Sequence, residues 1–315
     1  VYKHHRGFLG TLRNMFTREH NLVRAVDGID FKIQTGELVG YIGPNGAGKS
    51  TTIKMLTGLL VPTKGEINVD GYLPWRDRQE YVNEIGAVFG QRTTLWWDLP
   101  LIESLDLLQH IYQIPTQRFE QNLKEFRNIL ELDTFLNTPV RALSLGQRMR
   151  ADLCAALLHD PKLLFLDEPT IGLDVVAKER IRQFIRHINQ QRRTTILLTT
   201  HDLSDVEKLC ERVMIIDHGK LLYDGNLDRL RQQHGGMRAL IVDFAENYPD
   251  VEVSGAKVVE REENRVTYQF DRRSITASTL INKLSTQYRI RDLAVREPDI
   301  ETTIRRIYEE RLLDS

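Results

Sequence analysis

A chain of 315 residues that is 41% hydrophobic and 28% charged has the balance of a globular protein with one large domain and a smaller one. Its formal net charge of −1 gives no reason to expect a nucleic-acid partner, and no run approaches the ~18 apolar residues that span a bilayer. Two cysteines, Cys154 and Cys210, lie inside predicted elements without metal-ligand spacing, which fits a reducing, intracellular compartment.

Residues 1–22 form a basic N-terminal segment, with Lys3, Arg6, Arg13 and Arg18. Phe8, Leu12, Met15 and Phe16 recur at helical spacing, a pattern that suits an anionic membrane surface or a face of its own domain. Short strands are predicted over 23–26, 29–33, 38–42 and 66–69, divided by Asp27-Gly28, Thr35-Gly36, Lys64-Gly65 and Asp70-Gly71. They read as an antiparallel β layer beside the strand that leads into a glycine-rich loop.

That loop is Gly43-Pro44-Asn45-Gly46-Ala47-Gly48-Lys49-Ser50, followed by Thr51. It sits between the apolar run Leu38–Ile42 and a predicted helix over 50–58, the setting of a phosphate-binding loop. Glycines let the backbone turn its N–H groups inward around an anion, and the positive end of the next helix adds favourable potential. Lys49 can reach outer phosphates, and the Ser50 hydroxyl can ligate magnesium.

A strand over 85–89 ends beside Gln91. From about 91 to 150 the sequence is largely helical, with apolar residues at three- and four-residue spacing over 102–111 and 119–130. Ser144 with Gln147 three residues later matches a capping box for a helix ending near Asp160. Leu163–Leu166 reads as a buried strand that presents Asp167 and Glu168 at its carboxyl end. Successive residues there point to different sides, so one carboxylate can serve a metal while the other orients or deprotonates a water. Taken alone, Asp-Glu-Pro after an apolar run is a cap or turn; an upstream phosphate loop changes that balance. A helix over 175–190, a strand over 195–199 ending near His201, and a hairpin over 213–223 complete an α/β domain spanning 23–235. Beyond Gly235-Gly236, residues 236–315 read as a small α+β domain without a catalytic constellation.

Taken in order, these motifs resemble the ATP-binding cassette (ABC) ATPases. Gly43–Ser50 is similar to Walker A, Leu163–Glu168 to Walker B, Gln91 to the Q-loop and His201 to the switch histidine. Leu143–Gln147 resembles the signature, with Leu145 where Gly is commoner, and Ile171–Asp174 resembles the D-loop. The C-terminal domain is similar to the accessory domain of ABC-2-type exporter ATPases, such as those for drug resistance. The resemblance implies the ABC ATPase fold, with a P-loop α/β core, an antiparallel β layer and a helical subdomain. It implies ATP and Mg2+ as cofactors, with Ser50, Gln91 and Asp167 at the metal and Glu168, His201 and Gln91 in hydrolysis. Two cassettes, an identical pair, would sandwich ATP, each site completed by Ser144, Leu145, Gly146, Gln147 and Asp174 of the other. Separate integral-membrane permease subunits would hold the protein on the cytoplasmic face of the inner membrane. Trp96 and Trp97 would contact them, one facing in and the other facing the partner. The family's adenine-stacking position falls on His20, with Phe16 as a substitute. Two alternatives stay open: a soluble ABC ATPase of translation or DNA repair, and a regulatory ATP-binding subunit with little turnover. The single cassette argues against the first, and an intact Glu168 and His201 argue against the second.

Overall fold

The computed structural model describes residues 24–90, 92–234, 237–271, 274–297 and 300–314. The basic segment at 1–22, with Phe16 and His20, therefore lies outside the described residues, as do Gln91 and Gly235-Gly236. The chain divides into two compact units between Asp224 and Gly225.

In the first unit, β1 (Leu38–Ile42), β2 (Ile85–Phe89), β3 (Leu163–Asp167), β4 (Thr195–Thr199), β5 (Arg212–Asp217) and β6 (Lys220–Asn226) form one sheet in the order β2-β3-β4-β1-β5-β6. The pairs β2/β3, β3/β4, β4/β1 and β1/β5 are all parallel. Strands buried on both faces read as continuous apolar runs. The core is accordingly made of Val39, Ile42, Leu166, Leu198 and Ile215, all 1% exposed or less. Tyr41 belongs to it: it is fully buried, its hydroxyl lies 3.2 Å from Thr52 Oγ1, and burial pushes its pKa up to about 12. Because these strands run the same way, the loops after β1, β2, β3 and β4 leave one edge of the sheet together. In open α/β sheets that edge is where ligands bind.

The helices are α1 (Lys49–Leu56), α2 (Leu101–Ile111), α3 (Thr116–Leu130), α4 (Leu145–Leu157), α5 (Val175–Arg192) and α6 (Leu203–Leu209). The helical block is docked on α5 through Phe126, whose ring meets Phe184 edge-on at 5.4 Å between centroids. Arg192 stacks its guanidinium 4.7 Å over Phe126 and pairs with Glu125 and Asp160. Such packing fixes the orientation of α4, whose first turn carries the signature motif.

Two readings of the sequence differ from the structure, and the hairpin across His218-Gly219 is formed as expected. The segments 24–26, 29–33 and 66–69 carry no strand ladder; one bridge, Val69 to Tyr72, is formed there. Phe31, Ile33 and Ile67 still pack on the core, so the apolar alternation reports burial without regular pairing. α4 ends at Leu157, short of Asp160, whose φ of +63° is incompatible with helix. The turn between β5 and β6 puts His218 at φ +46° and Gly219 at +76°, the two-residue geometry that suits tight hairpins.

In the second unit, α7 (Leu227–His234) precedes β7 (Met237–Phe244), β8 (Lys257–Glu262), β9 (Arg265–Asp271), α8 (Ala277–Gln287), β10 (Ile290–Arg296) and α9 (Ile300–Asp314). The four strands form an antiparallel sheet, β10-β7-β9-β8. Leu240, Val242, Phe244, Val266, Tyr268 and Phe270 face Leu280 and Leu284 of α8 to make its core. Sequence reading misses α7, a short polar helix whose signal is the pair Leu227 and Leu230, both buried.

Candidate functional site

The loop after β1 wraps tightly because its glycines leave room for backbone. A Cβ on Gly43 would lie 2.2 Å from the Ile216 carbonyl oxygen, and one on Gly48 2.4 Å from that of Ala25. Gly48, at φ +112°, opens α1, so its first N–H groups face the space the loop encloses. Lys49 is 6% exposed, and its Nζ donates to the carbonyl oxygens of Gly43 at 2.6 Å and Pro44 at 3.2 Å. Burial lowers its pKa, against the opposing pull of Glu168 and Asp167. The ammonium thus caps carbonyls that a phosphate oxygen can replace as partner.

Two strands away, β3 ends in the acid pair. Ser50 Oγ donates to Asp167 Oδ1 at 3.3 Å, and Thr199 Oγ1 donates to the same oxygen at 2.6 Å. A hydroxyl and a carboxylate converging from two elements are the hard oxygen donors that suit magnesium. Among the described residues, no cluster of three or more His, Cys, Asp or Glu forms a metal cage, which is the ordinary situation where phosphates supply ligands. Glu168 has φ +56°, a conformation uncommon for a side chain larger than glycine and concentrated at functional sites. Its N–H donates to the Thr199 carbonyl at 3.0 Å. His201 Nδ1 lies 3.4 Å from Glu168 Oε1.

Sequence reading misses the scaffold behind this pair. Asp205, fully buried on α6, accepts hydrogen bonds from Thr170, from Thr200 Oγ1 at 3.3 Å and from Arg182 Nε at 2.6 Å. It ties the turn after Glu168 to the residue before His201. The available signal was weak: an acid four residues after the histidine, on what reads as a surface helix.

The signature residues assemble a separate groove. Ser144 caps α4; its Oγ accepts from Gln147 N at 3.2 Å, and Gln147 Oε1 accepts from Ser144 N at 2.9 Å. The capping box is therefore formed, and the Ser144 O–H stays free to donate. Asp174 caps α5 through Ala177 N at 2.8 Å. Both helix starts line one cavity of about 420 Å3, together with Leu145, Gly146 and Leu173. Leu145 lies over Gly172, where an added Cβ would be 3.0 Å from its Cδ2. The departure at 145 is thus accommodated by the D-loop glycine, and the Gly146 backbone is unaltered.

Trp96 and Trp97 are 39% and 49% exposed. Both face outward, which corrects the expectation of one inward ring; Leu95 takes the buried position instead, at 5%. Cys154 and Cys210 are buried and unpaired, and burial pushes the Cys154 thiol up to about 12, so neither is reactive. Among the described residues, no helix is long and apolar enough to cross a membrane.

A parallel sheet with a phosphate loop, a paired acid and a histidine at one edge defines a P-loop nucleoside triphosphatase. Residues 26–171 match the family described as "ABC transporter". The ABC transporter ATP-binding protein NatA of Bacillus subtilis (strain 168) is 32% identical over 68% of this chain and 87% of its own. The daunorubicin resistance ATP-binding protein DrrA3 of Streptomyces coeruleorubidus is 33% identical over 81% of this chain and 78% of its own. A solved dimeric ATP-binding cassette in a post-hydrolysis state with ADP and phosphate superposes with a TM-score of 0.60, at 28% identity over 67% of this chain and 94% of its own. The chain belongs to the ABC transporter family, as an ATP-binding and ATP-hydrolysing subunit.

Proposed function

We propose that this protein drives an ABC-2-type exporter, hydrolysing magnesium-bound ATP in a pair of identical cassettes attached to separate membrane-spanning subunits at the cytoplasmic face of the inner membrane. Lys49 and the N–H groups of Gly46–Thr51 hold the outer phosphates. Ser50 and Asp167 bind the metal, with Gln91 as a further ligand from sequence. Glu168 orients and accepts a proton from the attacking water, and His201 fixes the Glu168 carboxylate and contacts the terminal phosphate. Magnesium, when bound, neutralises charge that builds on the transferred phosphoryl group. Ser144, Leu145, Gly146, Gln147 and Asp174 complete the site of the partner cassette, where a helix N-terminus suits a γ-phosphate. Adenine stacks on His20.

The observation that carries hydrolysis over mere binding is Glu168 in its left-handed conformation within reach of His201. Export is supported by the relative named for daunorubicin resistance. Attachment is supported by Trp96 and Trp97, adjacent exposed aromatics of the kind that anchor interfaces. Residues 1–22 and 236–315 are proposed as a basic N-terminal segment and an accessory domain on either side of the cassette at 23–235 in the sequence. The test is to purify the tagged protein from gently solubilised membranes of its host. Polytopic membrane proteins in equal amount are expected, with less recovered by a Trp96→Ala/Trp97→Ala variant. Ribosomes, repair factors or no companion would overturn the transport reading and leave the ATPase in place.

A further inference from the structure

The segment after Gln91 is fastened to α4 by a buried acid. Asp152, 6% exposed and two turns into α4, accepts from Thr93 Oγ1 at 2.6 Å and Thr94 N at 3.3 Å. The Thr93 hydroxyl in turn accepts from Leu95 N at 3.1 Å, so both its hydrogen-bonding roles are used locally. One turn nearer Ser144, on the same face of the helix, the Arg148 guanidinium lies 5.7 Å from the centre of the Trp97 ring. Two further links follow: Arg141 N donates to the Trp97 carbonyl at 2.9 Å, and Arg141 Nη1 pairs with Asp98 at 2.8 Å. Burying a carboxylate is costly unless its bonds are strong, and an apolar residue would fill this place more cheaply. What the charge provides is two charge-assisted bonds to consecutive residues of a loop.

We propose that Asp152 is a positioning residue: its carboxylate clasps Thr93 and Thr94 to the helix that begins at Ser144, so the segment bearing Trp96 and Trp97 and the signature motif move as one body when ATP closes the cassette pair. The proposal rests on the paired-cassette reading above. A displacement imposed on the exposed tryptophans then reaches Ser144 along a rigid helix, without passing through the core.

The test uses the full chain carrying Glu168→Gln, with spin labels at Thr94→Cys and Ala142→Cys, and a reference pair at Thr94→Cys and Gln183→Cys on α5. All three positions are exposed, whereas Cys154 and Cys210 are buried and escape labelling. On adding ATP and magnesium, the Thr94–Ala142 distance is expected to stay fixed while the Thr94–Gln183 distance shifts. In Asp152→Ala or Thr93→Val the Thr94–Ala142 distribution is expected to broaden, and Thr93→Ser to restore it. With Glu168 intact, Asp152→Ala is expected to lower kcat roughly tenfold at unchanged KM, as misplacement of a reacting group does. A Thr94–Ala142 distance that shifts with ATP, or one that stays narrow in both Asp152→Ala and Thr93→Val, would overturn the clasp. Failure of the Glu168→Gln parent to dimerise by light scattering would instead remove the paired-cassette reading, and the proposal with it.

Discussion

His201 Nδ1 lies 3.4 Å from Glu168 Oε1, although the two side chains come from the segments that follow different strands, β4 and β3. They meet because the two parallel strands end together and Glu168 adopts a left-handed backbone. In the proposed mechanism the histidine fixes where the carboxylate points, and the carboxylate fixes where a water can sit.

From this follows the effect of changing either group. Glu168→Gln keeps the shape and removes the base, so turnover should fall roughly 10²–10⁴-fold, the range for a positioned general base. ATP affinity should be retained, and the variant should accumulate as an ATP-bound dimer. His201→Ala should give a smaller loss in kcat, since it orients the base without replacing it. Steady-state phosphate release beside nucleotide binding checks both. Equal hydrolysis by Glu168→Gln and parent would remove Glu168 from its role.

Lys49 offers a separation of binding from stability. Its ammonium is buried against two carbonyl oxygens, and burial lowers its pKa. A lowered pKa means that the folded chain holds this charge at a cost, which an apolar side chain of similar length does not carry. Lys49→Met should therefore weaken ATP binding roughly 10–100-fold, the value of one or two charge-assisted bonds, while the melting temperature stays level or rises. Calorimetric titration and thermal unfolding of the same preparations provide the check.

The opposite outcome is expected behind the site. Asp205→Ala leaves Arg182, 3% exposed, without its nearest and fully buried carboxylate, with only the longer contacts to Glu179 at 3.5 Å and Asp202 at 4.0 Å remaining. Losing one partner of a buried ion pair costs about 3–5 kcal/mol, so this variant should unfold at distinctly lower denaturant. It should also lose activity, because Thr170 and Thr200 flank Glu168 and His201, the proposed base and its partner. Asp205→Asn, which retains an acceptor, should recover part of both.

How far the sequence leads is visible in these same residues. The phosphate loop, Asp167, Glu168, Ser144 and His201 were legible because each is a residue type at a fixed spacing from an apolar strand or helix start. The parallel strands were legible because burial on both faces leaves unbroken apolar runs. The 29–33 and 66–69 segments misled because alternation reports which side chains turn toward the core, as the partly buried Phe31 and Ile67 do, without requiring a ladder. Asp205 and Asp152 were invisible for a different reason. A buried acid in a helix looks like a surface acid until the partners that satisfy it, 35 and 59 positions away in the chain, are brought beside it.

Asp152 also makes a prediction about pH. Burial is the main cause that raises its pKa from the ordinary 3.8 to about 6, against the hydrogen bonds from Thr93 and Thr94 and the charge of Arg148. Between these two values the folded chain holds a proton on this group that the unfolded chain has released. Stability linked to it is therefore fully present below about pH 4 and is lost as pH rises through about 6. At about 1.4 kcal/mol for each pH unit, the loss across that window is roughly 3 kcal/mol. Asp152→Asn carries no titrating group there, so the difference in unfolding free energy between parent and variant should move in the variant's favour from pH 4 to pH 6 and then level off. Urea unfolding of both chains at half-unit pH steps measures it. Parallel curves would mean that the carboxylate titrates alike in the folded and unfolded chains, and that its burial is relieved by contacts other than Thr93 and Thr94.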